Sequence, residues 1–170
     1  MIVRAETAAD YADIRRINDE AFGETLEGEL VDAIRASDRF VPELSLVAES
    51  GGQTVGHVIS SYVDLEPGPR RLLQVGPLAV LPSHQRRGIG RALMEETIRR
   101  ADERGEPLLL IEGNPRYYER FGFTRTDALG IEPPPQALGP EYFMIRPLAH
   151  YDSALRGLAA YPPETFGIVY

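Results

Sequence analysis

Apolar positions along the chain change their period, and the changes mark its elements. Tyr11, Ile14, Ile17 and Phe22 recur at helical spacing, which predicts a helix over 8–21. Thr7 and Asp10 form a start resembling a capping box, and Gly23 breaks the pattern. Leu26, Leu30, Val31 and Ile34 share one face of a second predicted helix, 25–36, and Pro42 ends the connection that follows. The period then falls to two. Segments 44–50 and 53–65 read as a hairpin around Gly51-Gly52. After a turn at 66–70, residues 72–81 read as a third strand of the meander. Pro77 lies inside that strand with no N–H to give, so a bulge or a local parting from a neighbour is expected there.

The remaining elements follow the same logic. A short strand is expected at 2–5. Ile89, Leu93, Met94, Ile98 and Ala101 form the apolar stripe of a helix over 88–104, and Gly105 stands just past its end. The unbroken apolar run 107–112 predicts a strand buried on both faces. A short helix at 115–121 stops at Gly122, and the stretch 127–140, with four prolines, is expected to be a loop. A last strand is expected at 141–148, and the tail 149–170 shows no period. The sum is a mixed α/β (α+β) domain with a central, mostly antiparallel sheet flanked by helices. Its strand–helix–strand unit, 72–112, supplies one parallel crossover, right-handed by rule. The domain is expected to span 1–148, with the tail packed on it.

Composition narrows the classes. A chain of 170 residues with 43% apolar and 26% charged residues is an ordinary single soluble domain. No apolar run approaches the ~20 residues of a membrane helix, and no secretory signal is visible, so a cytoplasmic protein without membrane contact is expected. The absence of cysteine excludes disulfides, thiolate metal sites and a cysteine nucleophile. A net charge of −8 argues against nucleic-acid binding and favours cationic substrates.

Against that acidic background the stretch LPSHQRRGIG, 81–90, stands out. Gly88 and Gly90 sit where the 88–104 helix starts, and a helix start offers unpaired N–H groups and positive dipole. Arg86, Arg87 and Arg91 can add charge-assisted bonds. The arrangement suits a pyrophosphate. A P-loop is excluded, because no Lys-Ser or Lys-Thr follows the glycines. A dinucleotide fingerprint is met only by Gly88, Gly90 and the acid Glu112; Leu93 replaces its third glycine, and Pro82 lies in a connection too long for its tight turn.

The motif QRRGIG, after the strand LAVLP and before an amphipathic helix, resembles the acetyl-CoA motif of the GNAT superfamily of N-acetyltransferases. A second stretch, NPRYYERFGF from Asn114 to Phe123, is similar to the same family's tyrosine motif, matched without a gap from Tyr118 to Phe123. The double tyrosine before ERFGF resembles a bacterial branch of that superfamily. The resemblance implies a single GNAT-type domain whose sheet is splayed between two parallel strands, here 72–81 and 107–112, with acetyl-CoA in the gap and no metal. It implies that the backbones of Leu78, Ala79 and Val80 pair with the pantetheine arm. N–H groups from Arg86 through Gly88, Ile89 and Gly90 to Arg91 would hold the pyrophosphate. Asn114 would bond the pantetheine, and Tyr118 would sit near the sulfur.

The implied chemistry is direct attack of an amine on a thioester in a ternary complex. Tyr118 is the expected proton donor to the leaving thiolate, since a phenol's pKa lies near that of a thiol. Tyr117, rotated about 100° from it, is a cofactor- or acceptor-cleft residue or a packing residue. The base stays open. Glu112 ends the strand beside the cleft. His57 has a suitable pKa but alternates with Val55 and Ile59, which reads as a core histidine. Glu20 and Glu24 flank the first helix's end and read equally as surface acids; a water chain is a further route. His84 and His150 read as exposed loop residues. The expected function is acetyl transfer from acetyl-CoA to a primary amine of an unspecified acceptor. A non-catalytic acyl-CoA sensor on the same fold is the alternative, and a homodimer is an open assembly state.

Overall fold

The computed structural model describes residues 1–166. Among them nine strands join in one sheet: β1 Ile2–Ala5, β2 Leu46–Ser50, β3 Gln53–Glu66, β4 Arg70–Val80, β5 Leu108–Glu112, β6 Thr124–Arg125, β7 Ile131–Glu132, β8 Phe143–Pro147 and β9 Gly157–Ala160. Their order is β1-β2-β3-β4-β5-β8-β6, with β9 beside β3 and β7 beside β9. All neighbours are antiparallel except β4–β5 and the short β7–β9. The helices are α1 Tyr11–Phe22, α2 Leu26–Ala36, α3 Ile89–Glu103, α4 Pro115–Tyr118 and α5 Pro163–Phe166.

Strand periodicity builds two cores. Leu109 and Ile111 of β5 point into one with Leu93 and Met94 of α3. Leu108 and Leu110 point into the other with Leu30, Val31 and Ile34 of α2. Burial on both faces is why β5 reads as an unbroken apolar run. The β2–β3 hairpin turns through Gly51 and Gly52 at φ 59° and 77°, the positive values a two-residue turn needs. Asp10 reaches back to the Thr7 N–H at 2.7 Å, completing the box anticipated there.

Several boundaries differ from expectation. The first helix opens as a 3₁₀ turn at Ala8–Asp10. Pro42 starts another at Pro42–Leu44, so the second strand begins only at Leu46. The helix expected at 115–121 ends at Tyr118 and tightens into a 3₁₀ turn, Glu119–Phe121, before Gly122 at φ 83°. The proline-rich stretch holds the two-residue strand β7, and the tail holds β9 and α5. One edge of β3 is shared in sequence by β2, by Phe40 opposite Ser61, and by β9 opposite Asp64–Glu66. Residues 167–170 of the tail lie outside the described residues.

Candidate active site

The site begins where β4 leaves β5. The two pair in parallel only from Leu73–Leu109 to Val75–Ile111. Opposite β3, Gly76 and Pro77 together face the single residue Ile59, so β4 carries a bulge at the proline. Beyond it β4 continues along β3, with Leu78, Ala79 and Val80 opposite Val58, His57 and Gly56. Leu81 donates its N–H to Val55 of β3 at 2.9 Å. Backbone groups of a strand alternate sides, so Ala79 also faces β3 while Leu78 and Val80 face the gap. The Val80 carbonyl accepts from Gln85 Nε2 at 3.1 Å. What the gap retains is the Val80 N–H and both backbone groups of Leu78.

Two clefts meet along this gap. The larger, about 630 Å³, runs past Ala21, Leu78–Val80, His84, Gln85, Arg86, Gly88–Arg91 and Arg120. The smaller, about 360 Å³, is walled by Glu27 and Leu30 of α2, Gln74–Leu78 of β4, Ile111–Asn114, Tyr118 and Leu138. Phe22, Leu78 and Tyr117 border both.

The larger cleft gathers groups suited to an anion. Gly88 caps α3 at φ 83°, and Arg86, two residues earlier, holds φ 59°, a value a non-glycine adopts at a cost of ~1 kcal/mol or more. Such a bend turns successive N–H groups to one side, toward the positive end of α3. A Cβ at Gly90 would lie 2.8 Å from the Tyr117 hydroxyl, so a side chain there must displace the end of that tyrosine. Arg120 lies over the Tyr117 ring, its Cζ 4.8 Å from the centroid. Arg91 lines the cleft while paired with Glu95 at 2.7 Å. The Arg87 side chain is exposed and lies off the cleft wall.

The smaller cleft holds the tyrosines. Asn114 caps α4 through Oδ1, which accepts from the Arg116 N–H at 3.0 Å, so its Nδ2 amide is the group left to offer a ligand. Tyr118 stacks edge-on with Tyr117 at 4.9 Å and with Phe123 at 6.1 Å between centroids. Burial pushes its hydroxyl up to about 12, with Tyr117 adding to the shift. Glu112 Oε1 accepts from the Leu138 N–H at 2.7 Å, and Oε2 accepts from the Tyr161 hydroxyl. Glu27 was not anticipated: it lines the wall, and its Oε2 is buried without a hydrogen-bond partner among the described residues.

Residues 11–123 match the Acetyltransferase (GNAT) family. The chain belongs to the GNAT family. It is 32% identical over 117 residues to the uncharacterized N-acetyltransferase YjhQ of Escherichia coli strain K12, covering 68% of this chain and 65% of that one, just under two thirds of YjhQ. It is 32% identical over 124 residues to YhbS of the same strain, covering 72% and 73%. The crystal structure of YhbS with CoA superposes with a TM-score of 0.86 at 26% identity, over 96% of this chain and 90% of that one. A GNAT family acetyltransferase from Brucella melitensis, solved with acetyl-CoA, gives 0.78 at 32% identity over 96% of each chain.

The other base candidates separate cleanly on this GNAT scaffold. His57 is fully buried away from both clefts. Asn18 Nδ2 lies 3.3 Å from its Nδ1, and Ser45 Oγ and Glu6 Oε2 lie 3.2 and 3.4 Å from its Nε2. Burial lowers its pKa, and these partners suit a neutral ring with the proton on Nε2. It is a core histidine. Glu20 and Glu24 are exposed and off the cleft walls, and Glu20 stands 3.6 Å from Arg16. His150 is exposed. His84 departs from expectation: it is half-buried in a 3₁₀ turn and lines the larger cleft, because Pro82 folds the connection back toward β4. Arg120, Gln85, Phe22 and Gly113 also line the site beyond the anticipated residues. Arg120 was legible as the i+3 neighbour of Tyr117 on one side of a turn. Among the described residues no group of three or more His, Cys, Asp or Glu could hold a metal ion, and no helix is long and apolar enough to cross a membrane.

Proposed function

We propose that this chain transfers an acetyl group from acetyl-CoA to a primary amine by direct attack in a ternary complex. The observation that carries the reading is the meeting of the two clefts at Phe22, Leu78 and Tyr117, one cleft suited to phosphates and the other walled by Tyr118 and two carboxylates. The residues fit the co-substrate. N–H groups from Arg86 to Arg91 hold the pyrophosphate, with Arg86 and Arg120 adding charge. Leu78 and Val80 offer backbone bonds to the pantetheine arm, Ala79 holds that edge to β3, and Asn114 adds its amide.

At the junction the amine nitrogen attacks the thioester carbonyl; the C–N bond forms and the C–S bond breaks. The amine must shed a proton, and Glu112 accepts it. Each Glu112 oxygen already takes one bond, which fixes the group, and a carboxylate has lone pairs left for the amine. Tyr118 steadies the departing sulfur. A hydroxyl with a pKa near 12 stays protonated at every working pH, so it serves the thiolate as a hydrogen-bond donor while the net proton arrives from solvent. Residues 1–148 form the catalytic domain. The tail packs on it as its last strand and through Tyr161, a placement supported by the β9 pairing. The protein works in the cytoplasm.

The test is thiol release from acetyl-CoA with a broad amine panel, beside melting with and without ligand. A ligand at 100 times its dissociation constant adds about 2.7 kcal/mol, which at this size is roughly 5–10 °C. Such a shift is expected with acetyl-CoA and not with NAD; a shift with NAD alone overturns the reading.

A further inference from the structure

Among the described residues, five buried side-chain polar atoms have no hydrogen-bond partner. Two of them, Glu27 Oε2 and Gln74 Oε1, belong to residues walling the smaller cleft. An unpaired buried acceptor is costly, so two on the residues of one cleft wall call for a donor from outside the chain. Gln74 Oε1 is an acceptor only, and so is Glu27 Oε2 in the ionised carboxylate. Among the described residues no Lys, Arg or His lines this cleft; its other charged group is Glu112, and the rest of its wall is largely apolar, with Phe22, Leu30, Leu78, Ile111 and Leu138. Phe22 and Leu138 are also exposed, at 43% and 72%, so the mouth is apolar too. Burial, with Glu24 and Asp19 adding, raises the Glu27 carboxyl, as befits a carboxylate that lacks a cation of its own.

We infer that Glu27 and Gln74 seat the ammonium of the acceptor, and that the acceptor is a small primary amine with an apolar body and no carboxylate beside its nitrogen. An ammonium carries three donors and can serve both orphaned oxygens and Glu112. A carboxylate on the carbon bearing the nitrogen would be held against Glu27 and Glu112 with no cation to meet it, in a cleft where charge is poorly screened. The apolar walls take the body of the amine. This inference rests on the acetyl-transfer reading and narrows its acceptor.

The experiment compares 2-phenylethylamine with phenylalanine at saturating acetyl-CoA, two amines that differ by one carboxylate. The wild-type protein is expected to favour the first by about 100-fold or more in kcat/KM. Glu27→Gln keeps the shape of the side chain and removes its charge; it is expected to raise KM for 2-phenylethylamine by roughly 10- to 100-fold while acetyl-CoA affinity stays unchanged. That unchanged affinity also reports that the variant is folded. Should the variant misfold, the wild-type comparison alone decides. Equal use of the two amines, preference for phenylalanine, acetylation of neither despite acetyl-CoA binding, or an unchanged KM in a folded variant overturns the assignment. Failure of acetyl-CoA to bind at all instead overturns the acetyl-transfer reading beneath it.

Discussion

Tyr118 lies directly over Gly113. A Cβ built on Gly113 would stand 3.1 Å from Cδ2 and 3.3 Å from Cζ of the tyrosine ring, with Cε2 nearer still. The absent side chain at the end of β5 is therefore what lets the ring settle against the strand and face the cleft. Gly113→Ala should displace Tyr118 while leaving the phosphate cradle alone. Turnover is expected to fall roughly 10- to 100-fold, the scale of a misplaced catalytic group, with acetyl-CoA affinity nearly kept. Steady-state kinetics beside calorimetric binding check both halves.

Tyr118→Phe removes one hydroxyl and keeps the ring contacts. Turnover at saturating acetyl-CoA is expected to fall about 10- to 100-fold, the modest end of proton-donor effects, because a thiolate is already a fair leaving group. Tyr117→Phe is the control and should cost less. The tyrosine also predicts an alkaline effect. Its folded pKa of about 12 exceeds the usual 10, so the unfolded chain loses this proton first as pH rises. Stability is intact below about pH 10 and falls between about 10 and 12, by on the order of 2–3 kcal/mol. In Tyr118→Phe that part of the decline should be missing from denaturant midpoints measured against pH.

Gly90→Val tests the donor cleft. A Cβ at Gly90 would stand 2.8 Å from the Tyr117 hydroxyl and 3.5 Å from Leu78 Cδ2, so a branched side chain must push into the larger cleft. The melting shift given by acetyl-CoA should largely vanish, while the melting point without ligand stays close to wild type. A full shift in the variant would place the cradle elsewhere.

Acid stability should depend on Glu6. Burial alone would raise this carboxyl, but bonds from His57, Arg35 and Ser45 outweigh it and hold it down at about 2. The Ser45 hydroxyl donates at 2.6 Å and Arg35 Nε at 2.8 Å. A depressed carboxylate stabilises the fold above its unfolded pKa of about 4.5 and loses that contribution as pH falls toward 2, on the order of 3 kcal/mol in all. Glu6→Gln should be less stable at neutral pH and show a flatter loss through that window. Denaturant midpoints from pH 7 to 2 decide it.

Much of the donor side was legible because it is written in local chemistry. Pro77 cannot extend a ladder, and Gly88 and Gly90 before an amphipathic run announce a helix start open to a ligand. The acceptor side was less legible because it depends on what tertiary contacts leave unmet. Glu27 gave one signal: it precedes Leu30 by three residues and Val31 by four, which puts a carboxylate on the apolar face of α2. Its missing partner could be known only from the fold. Gly113 gave no signal of its own, because its role depends on the Tyr118 ring that the fold lays against it. β9 escaped because GLAA has no alternation and depends on the free edge of β3. The 3₁₀ turns escaped because their residues fit helix or strand patterns equally well until neighbours pack.

The bond between Tyr161 and Glu112 also bears on the order in which the protein is made. Every motif residue from Arg86 to Phe123 leaves the ribosome before Tyr161 does. A chain halted near residue 150 would carry the cradle and both tyrosines, yet its Glu112 would lack the hydroxyl that aims it, and the far end of β3 would stand bare. The synthesis of β9 and Tyr161 thus sets the moment at which the smaller cleft gains this bond. Nascent chains released early should gain acetyl-CoA binding before they gain the power to acetylate.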